Sequence, residues 1–292
     1  MSALTSFRVP VAAALLAAAS LLAGCGSAID PGYSSRPRFS TSAPLVNAKR
    51  DPDFLAYAVP TSDLHLYPAT RSAEFDVHGV DVSKYQGDID WRAVKDSGVA
   101  FAFIKASEGA DNIDRKFVAN WEGARAAGVP RGPYHFVYWC RPPLEEIANL
   151  ERIAPVEPDA LPPVLDVEAT PTSRTCTRRL EREETLHDMR VMLEEMERHY
   201  GKRPIIYTSV DFYQAILAGD GLADYPIWVR STKYHPTVRY GARKWTFWQY
   251  RSDGDVPGIR GAVDVNAFHG SHEQWRKWLA EQSRAKSIGQ AE

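Results

Sequence analysis

At residues 161–170 the chain reads LPPVLDVEAT, an apolar run that ends in Asp166 and Glu168. Residues i and i+2 of a β-strand face the same way, so these two carboxyls share one face, about 7 Å apart along the strand. Two further acids stand in similar short apolar runs, Asp81 in HGVDVS and Asp264 in AVDVNAF. Buried carboxylates are costly unless they are paired or used. Glycoside hydrolysis is chemistry that uses such a set. One carboxyl must be protonated to donate to the leaving oxygen, and an anion must stand near the anomeric carbon, where the transition state resembles an oxocarbenium ion. A neighbouring carboxylate raises the pKa of the acid and keeps it protonated. Glu has the longer reach, which makes Glu168 the candidate acid and Asp166 the stabilising anion. For each acid taken singly, a strand-end cap or an ion pair with Arg or Lys is the competing role. A metal site has less support: only His78 and His135 lie near these strands, and no HExxH or HxH motif occurs. No metal or cofactor is called for.

Such a set needs a fold that gathers strand ends. From His78 onward, short apolar runs alternate with amphipathic segments. HGVDVS is a strand; Asp90 caps a short helix in WRAVKDSG that stops at Gly98. VAFAFIKAS has the continuous apolar character of a strand buried on both faces. DRKFVANWEGARAAG sets Phe117, Trp121 and Ala124 on one helical stripe. GPYHFVYW and PPVLDVE are strands on either side of the helix LEEIANLERI, and residues 177–200 form a long charged helix. PIIYTS, YPIWVR, KWTFWQY and AVDVNAF are the remaining strands, and SHEQWRKWLAE is a closing helix. About eight strands with helices between the early ones predict an α/β fold, a closed barrel of the (β/α)8 type. After about residue 220 the gaps are too short for full helices. The barrel is therefore expected to be irregular, its last strands joined by loops or hairpins. In such a barrel, active groups collect at the C-terminal strand ends, where all four acids fall.

The chain has 292 residues, a formal net charge of -2 and 25% charged residues. This is globular composition with material for one large domain, and it lacks the basic excess of nucleic-acid binders. Residues 1–24 have the form of an export leader, with Arg8, an apolar stretch and small residues. The stretch is too short and Ala-rich to favour a permanent span. Leu22-Ala23-Gly24-Cys25 resembles the bacterial lipobox, in which the peptide is cut before a Cys that is then lipidated. A plain secretory signal is the alternative. Residues 25–76, rich in Pro, Ser and Arg, read as a lipid-anchored tether whose more apolar part, from Asp51 to Phe75, could lie against the domain, with the barrel over residues 77–285. Export leaves Cys140 and Cys176 in an oxidising compartment, just after two strands at the same end of the sheet, a pair that suits one disulfide, with two free thiols as the alternative.

DVSKYQGDIDW, FIKASEG, GPYHFVYW, PVLDVE, PIIYTS and WQYRSDGDVPGIRGAVDVNAF, in this order, resemble glycoside hydrolase family 25, the Chalaropsis-type N-acetylmuramidases. The resemblance runs from about His78 to Phe268. It implies an irregular α/β barrel that cleaves the β-1,4 bond between N-acetylmuramic acid and N-acetylglucosamine with retention. Glu168 would be the proton donor. Asp166 would stabilise an oxazolinium ion formed by the substrate's own N-acetyl group, or act more directly. Asp81 and Asp264 would position donor and sugar. Tyr134, Tyr207, Trp248 and Tyr250 would line the groove, core packing being the competing role for each. Arg230 departs from the pattern, where similar proteins have a small residue; it could pair with an acid or with a peptide-stem carboxylate of peptidoglycan. The implied partners are glycan strands and, through Cys25, a membrane of the cell envelope. Gly26 gives no Asp retention signal, which favours the outer membrane in a cell with two. A monomer is expected. The alternatives are a catalytically weak peptidoglycan-binding lipoprotein and an enzyme acting on chitin.

Overall fold

The computed structural model describes residues 72–170, 173–219 and 221–289. The leader and Cys25 lie outside the described residues. The strands are β1 (His78–Val82), β2 (Phe101–Glu108), β3 (Asn112–Ile113), β4 (Arg131–Phe136), β5 (Val164–Val167), β6 (Ile205–Thr208), β7 (Ile227–Arg230), β8 (Phe247–Gly254) and β9 (Val263–Phe268). Between and after them come α1 (Trp91–Asp96), α2 (Phe117–Ala126), α3 (Pro143–Ile153), α4 (Arg182–Tyr200), α5 (Pro236–Tyr240) and α6 (His272–Gly289).

The strands run in the order β1-β9-β8-β7-β6-β5-β4-β2, and a parallel β1–β2 pairing closes the ring. The short β3 only adds a hairpin to β2. Every ring neighbour is parallel except β9, which is antiparallel to both β8 and β1. Gly254 and Val263 are too close in sequence for the dozen or more residues a parallel crossover needs, so the chain turns back on itself. The full-length helices α2, α3 and α4 all precede β6. Between β6 and β9 come only the short turns of 210–217 and the five-residue α5, and α6 follows the last strand. Helix α4 begins at Arg182 rather than 177, the residues before it belonging to the loop that carries Cys176.

Strand alternation divides the apolar residues between two layers. Phe101, Phe103, Val164, Ile205, Tyr207, Trp228, Phe247 and Phe268 point into the barrel. Val80, Ile104, Leu165, Ile206 and Val229 point out, against Trp121, Ile147, Leu150, Met189, Leu193 and Met196 from the helices. Gly79 faces inward where a Cβ would stand 2.4 Å from the Phe101 ring, so no larger residue fits. Helix α6 lays Trp275 against Phe101 and Phe268, ring centroids 5.3 and 5.1 Å apart, at the N-terminal end of the barrel. Residues 72–76 pack on this body. Phe75 packs edge-on against Trp245 and Trp248, and its carbonyl bonds His78 Nε2 at 3.0 Å. Among the described residues, no helix is long and apolar enough to cross a membrane.

Candidate active site

The C-terminal rim gathers the four acids, by two different routes. Asp81, Asp166 and Glu168 arrive on parallel strands. Asp264 does not arrive at a strand's C-terminal end, as the parallel picture had it. It stands near the start of β9, and because β9 runs backwards this is the same rim, with Asp264 the cross-strand partner of Asp81.

Asp81 is held by two amides. Its Oδ2 accepts from Gln249 Nε2 at 2.9 Å and from Asn266 Nδ2 at 2.8 Å. Each amide is gripped from behind: Tyr207 donates its hydroxyl to Gln249 Oε1 at 2.9 Å, and Trp228 Nε1 donates to Asn266 Oδ1 at 2.8 Å. An indole N–H can only donate, so Asn266 must turn its oxygen to Trp228 and its NH₂ to Asp81. Asp81 is thereby addressed as an acceptor. Burial lifts its pKa to about 6, while the two amides and Arg230 work against the rise. Asp264 is lifted further, to about 8, by burial and then by the charge of Asp81, with Arg230 opposing. Near neutrality Asp264 therefore keeps a proton and Asp81 is mostly the anion.

The second pair lies across the barrel mouth. Asp166 is buried at the end of β5, and its Oδ1 has no hydrogen-bond partner among the described residues. Burial, and then the charge of Glu168, push its carboxyl well above the ordinary range, with Lys105 pulling the other way. Glu168 stands one residue past the strand and is partly exposed. Its carboxyl is also raised, by burial, against the fields of Arg230 and Lys105 and contact with the Tyr207 hydroxyl. Trp139 Nε1 fixes its backbone by donating to the Glu168 carbonyl at 2.8 Å. Tyr134, inward on β4 and partly exposed, has its phenol raised by burial and by Asp81, Asp166 and Asp264.

Two of the aromatics expected in the groove are elsewhere. Trp248 and Tyr250 belong to the outer layer, between the strands and the elements that cover them. Trp248 is 0% exposed and donates Nε1 to the Ser231 carbonyl at 3.0 Å. Tyr250 meets His78 Nδ1 through its hydroxyl at 3.1 Å. Alternation explains the correction: Phe247 and Gln249 are the inward residues of β8, so their neighbours face out. The residues missed in the sequence are Gln249, Asn266, Trp228 and Lys105. The same alternation points to them, since Asn266 follows Asp264 by two.

The loops that flank Glu168 are tied together. Cys140, after β4, and Cys176, after β5, form a disulfide with Cα atoms 5.5 Å apart. Tyr138 Oη meets Ser173 Oγ at 2.9 Å, and Arg178 Nη1 donates to the Trp139 carbonyl at 2.9 Å. A second constellation, Ser107–His135–Glu146, has the contacts of a nucleophile triad, 2.8 Å from Ser107 Oγ to His135 Nδ1 and 2.9 Å from His135 Nε2 to Glu146 Oε2. All three residues are buried, with Ser107 and His135 at 0% exposure, so no substrate reaches the hydroxyl. Glu146 also accepts from the Tyr138 N–H at 3.0 Å, and the set braces α3 and the loop after β4 against the barrel.

A closed barrel with four acids at one rim, the partly exposed Glu168 and Asp264 beside the buried Asp166 and Asp81, suits the cleavage of a glycosidic bond. A family model for glycosyl hydrolases family 25 matches residues 80–259. Lysozyme M1 of Streptomyces globisporus is 36% identical over 209 residues, 67% of this chain and 68% of that protein. Protein YegX of Escherichia coli (strain K12) is 35% identical over 212 residues, 71% of this chain and 75% of that one. Among solved structures, a family 25 glycosyl hydrolase from Bacillus anthracis superposes with a TM-score of 0.65 at 35% identity, over 70% of this chain and 94% of that chain. A bacterial lysozyme from Streptomyces coelicolor does so with a TM-score of 0.65 at 32% identity, over 72% and 98%.

Proposed function

Because the chain belongs to glycosyl hydrolase family 25, a family of lysozymes acting on peptidoglycan, we propose that it cleaves the β-1,4 bond between N-acetylmuramic acid and N-acetylglucosamine, with retention, using Glu168 as proton donor. One observation carries the assignment of roles. Of the buried pair, Glu168 is the carboxyl that reaches the open rim, while Asp166 lies beneath it with a buried, unpartnered oxygen.

The chemistry follows from that arrangement. In the free enzyme, burial and mutual repulsion favour a proton on the pair, Asp166 being raised more because it is deeper. A glycan in the groove strips water from Glu168, which raises its pKa. An acetamide N–H donated to Asp166 Oδ1 stabilises the Asp166 anion, which lowers its pKa. Both effects move the proton to Glu168. Glu168 then protonates the glycosidic oxygen as the bond to the anomeric carbon breaks. The acetamide oxygen closes on that carbon to give an oxazolinium ion, whose charge Asp166 offsets. Water opens the ring and returns its proton to Glu168, and attack from both sides in turn gives retention. Asp81, with Gln249 and Asn266, and protonated Asp264 hold the rim around the sugar, and Tyr134 and Tyr207 line it.

We further place this activity in the cell envelope, held by a lipidated Cys25. An acyl chain contributes about 0.8 kcal/mol per buried CH₂, so several chains anchor a protein stably. The activity is tested by digesting purified peptidoglycan, reducing the products with borohydride and reading them by mass spectrometry. New N-acetylmuramic acid reducing ends are expected. New N-acetylglucosamine ends would mean that the other bond is cut. Glycan that is bound but not cut would make the chain a binding protein.

A further inference from the structure

Arg230 is the residue the hydrolytic chemistry leaves unused. It ends β7, two residues past the inward Trp228, and pairs in register with Gln249, one of the amides that hold Asp81. Its side chain is partly exposed. Arginines elsewhere close on a carboxylate: Arg125 on Glu122 at 2.8 Å, Arg178 on Glu184 at 2.7 Å, Arg203 on Glu197 at 2.8 Å. Among the described residues, the Arg230 guanidinium makes no hydrogen bond and no ion pair. Yet its charge is felt by Asp81, Glu168 and Asp264 together. It is thus set among the rim acids without being captured by any of them. A guanidinium present only to neutralise them would gain most by forking onto one carboxylate. Left as it is, its planar set of five N–H donors stays open to an incoming carboxylate.

We propose that Arg230 is a specificity determinant that binds a carboxylate carried by the muramic acid unit, so that the groove selects an acidic glycan over a neutral N-acetylglucosamine polymer. The inference rests on the muramidase reading above and names what that reading leaves open, the feature of the substrate that the site recognises. Two carboxylate sources lie close to the scissile bond in peptidoglycan: the lactyl group of a peptide-free muramic acid, and the peptide stem attached to that group. Both present the same planar acceptor to the same fork.

The test compares wild type, Arg230→Ala and Arg230→Lys, purified as full chains, on three glycans. These are peptide-free chains with free lactyl carboxylates, chains with intact stems, and peptide-free chains with lactyl groups converted to methylamides. On a carboxylate-bearing glycan, Arg230→Ala is expected to raise KM about tenfold or more, the worth of a charged hydrogen bond, with kcat within about twofold. Arg230→Lys, which keeps the charge and loses the fork, should fall between. On the neutral methylamide the KM values of all three proteins should match. A KM effect confined to peptide-free chains identifies the lactyl group, and one confined to stem-bearing chains identifies the stem. Equal losses on all three glycans, with a shifted pH profile, would overturn the proposal, since Arg230 would then act only through the field at the acids. No change on any glycan would overturn it as well. If wild type cleaves none of the three, the muramidase reading fails, and titration-calorimetry affinities of the same proteins for the same glycans still decide the role of Arg230. Thermal melts verify that the variants are folded, as expected for a side chain without a protein partner.

Discussion

Replacing Asp264 with Asn tests whether the fold holds its rim acids against their own preference. A free aspartate ionises near 3.8, and in the folded protein Asp264 is lifted to about 8 by burial and by Asp81. Between those values the folded state keeps a proton that the unfolded chain has released. The contribution of Asp264 to stability is therefore full below about pH 4 and is lost as the pH rises towards 8. The loss is about 1.4 kcal/mol per pH unit, or about 4 kcal/mol between pH 5 and pH 8. An amide at this position does not titrate and escapes the loss. Asp81, lifted to about 6, titrates in both proteins, so most of its effect cancels in the difference. Urea unfolding followed by tryptophan fluorescence, disulfide intact, should show the variant gaining on wild type by about 4 kcal/mol from pH 5 to pH 8. Its activity should drop, because the residue belongs to the site. A stability difference that stays constant with pH would refute the argument, as it would mean that Asp264 ionises in the fold much as it does in water.

Three other perturbations have defined outcomes. Trp248→Ala should cost about 3–5 kcal/mol in denaturant unfolding while KM stays near the wild-type value; a large rise in KM with stability intact would return this ring to the groove. Reducing the Cys140–Cys176 bridge, which spans a sequence separation of 36, should lower stability by about 4 kcal/mol on loop entropy, seen as a lower melting temperature in thiol than without it. Wild type should incorporate labelled palmitate in cells and Cys25→Ala should not; equal labelling would remove the anchor.

The barrel was legible because its signals are local. Continuous apolar strands such as VAFAFIKAS and stripes such as Phe117, Trp121 and Ala124 mark elements whose faces must be buried, and eight such strands leave closure as the natural arrangement. The direction of β9 was not legible: VDVNAF has the same pattern in either direction, and only the short connection from Gly254 implies a reversal. The acids were legible because a carboxylate in an apolar run needs a reason. The amides that hold them were hidden by the residues beside them. In KWTFWQY the large Trp248 and Tyr250 draw attention, yet alternation from Phe247 turns them outward and leaves the plainer Gln249 at Asp81. Trp228 likewise reads as an ordinary core residue until its N–H is seen to fix the orientation of Asn266.

The central claim is that Glu168 supplies the proton to the leaving oxygen. The most direct measurement compares wild type with Glu168→Gln on two substrates, native peptidoglycan glycan and a disaccharide aryl glycoside whose nitrophenolate needs no proton to leave. General acid catalysis is worth about 10²–10⁴-fold, so the variant should lose at least about 10²-fold on the glycan and keep most of its bond-breaking rate on the aryl glycoside, read as the initial release of nitrophenolate. A matched loss on both substrates would contradict the account, because a group needed equally for a leaving group that takes no proton is not the acid.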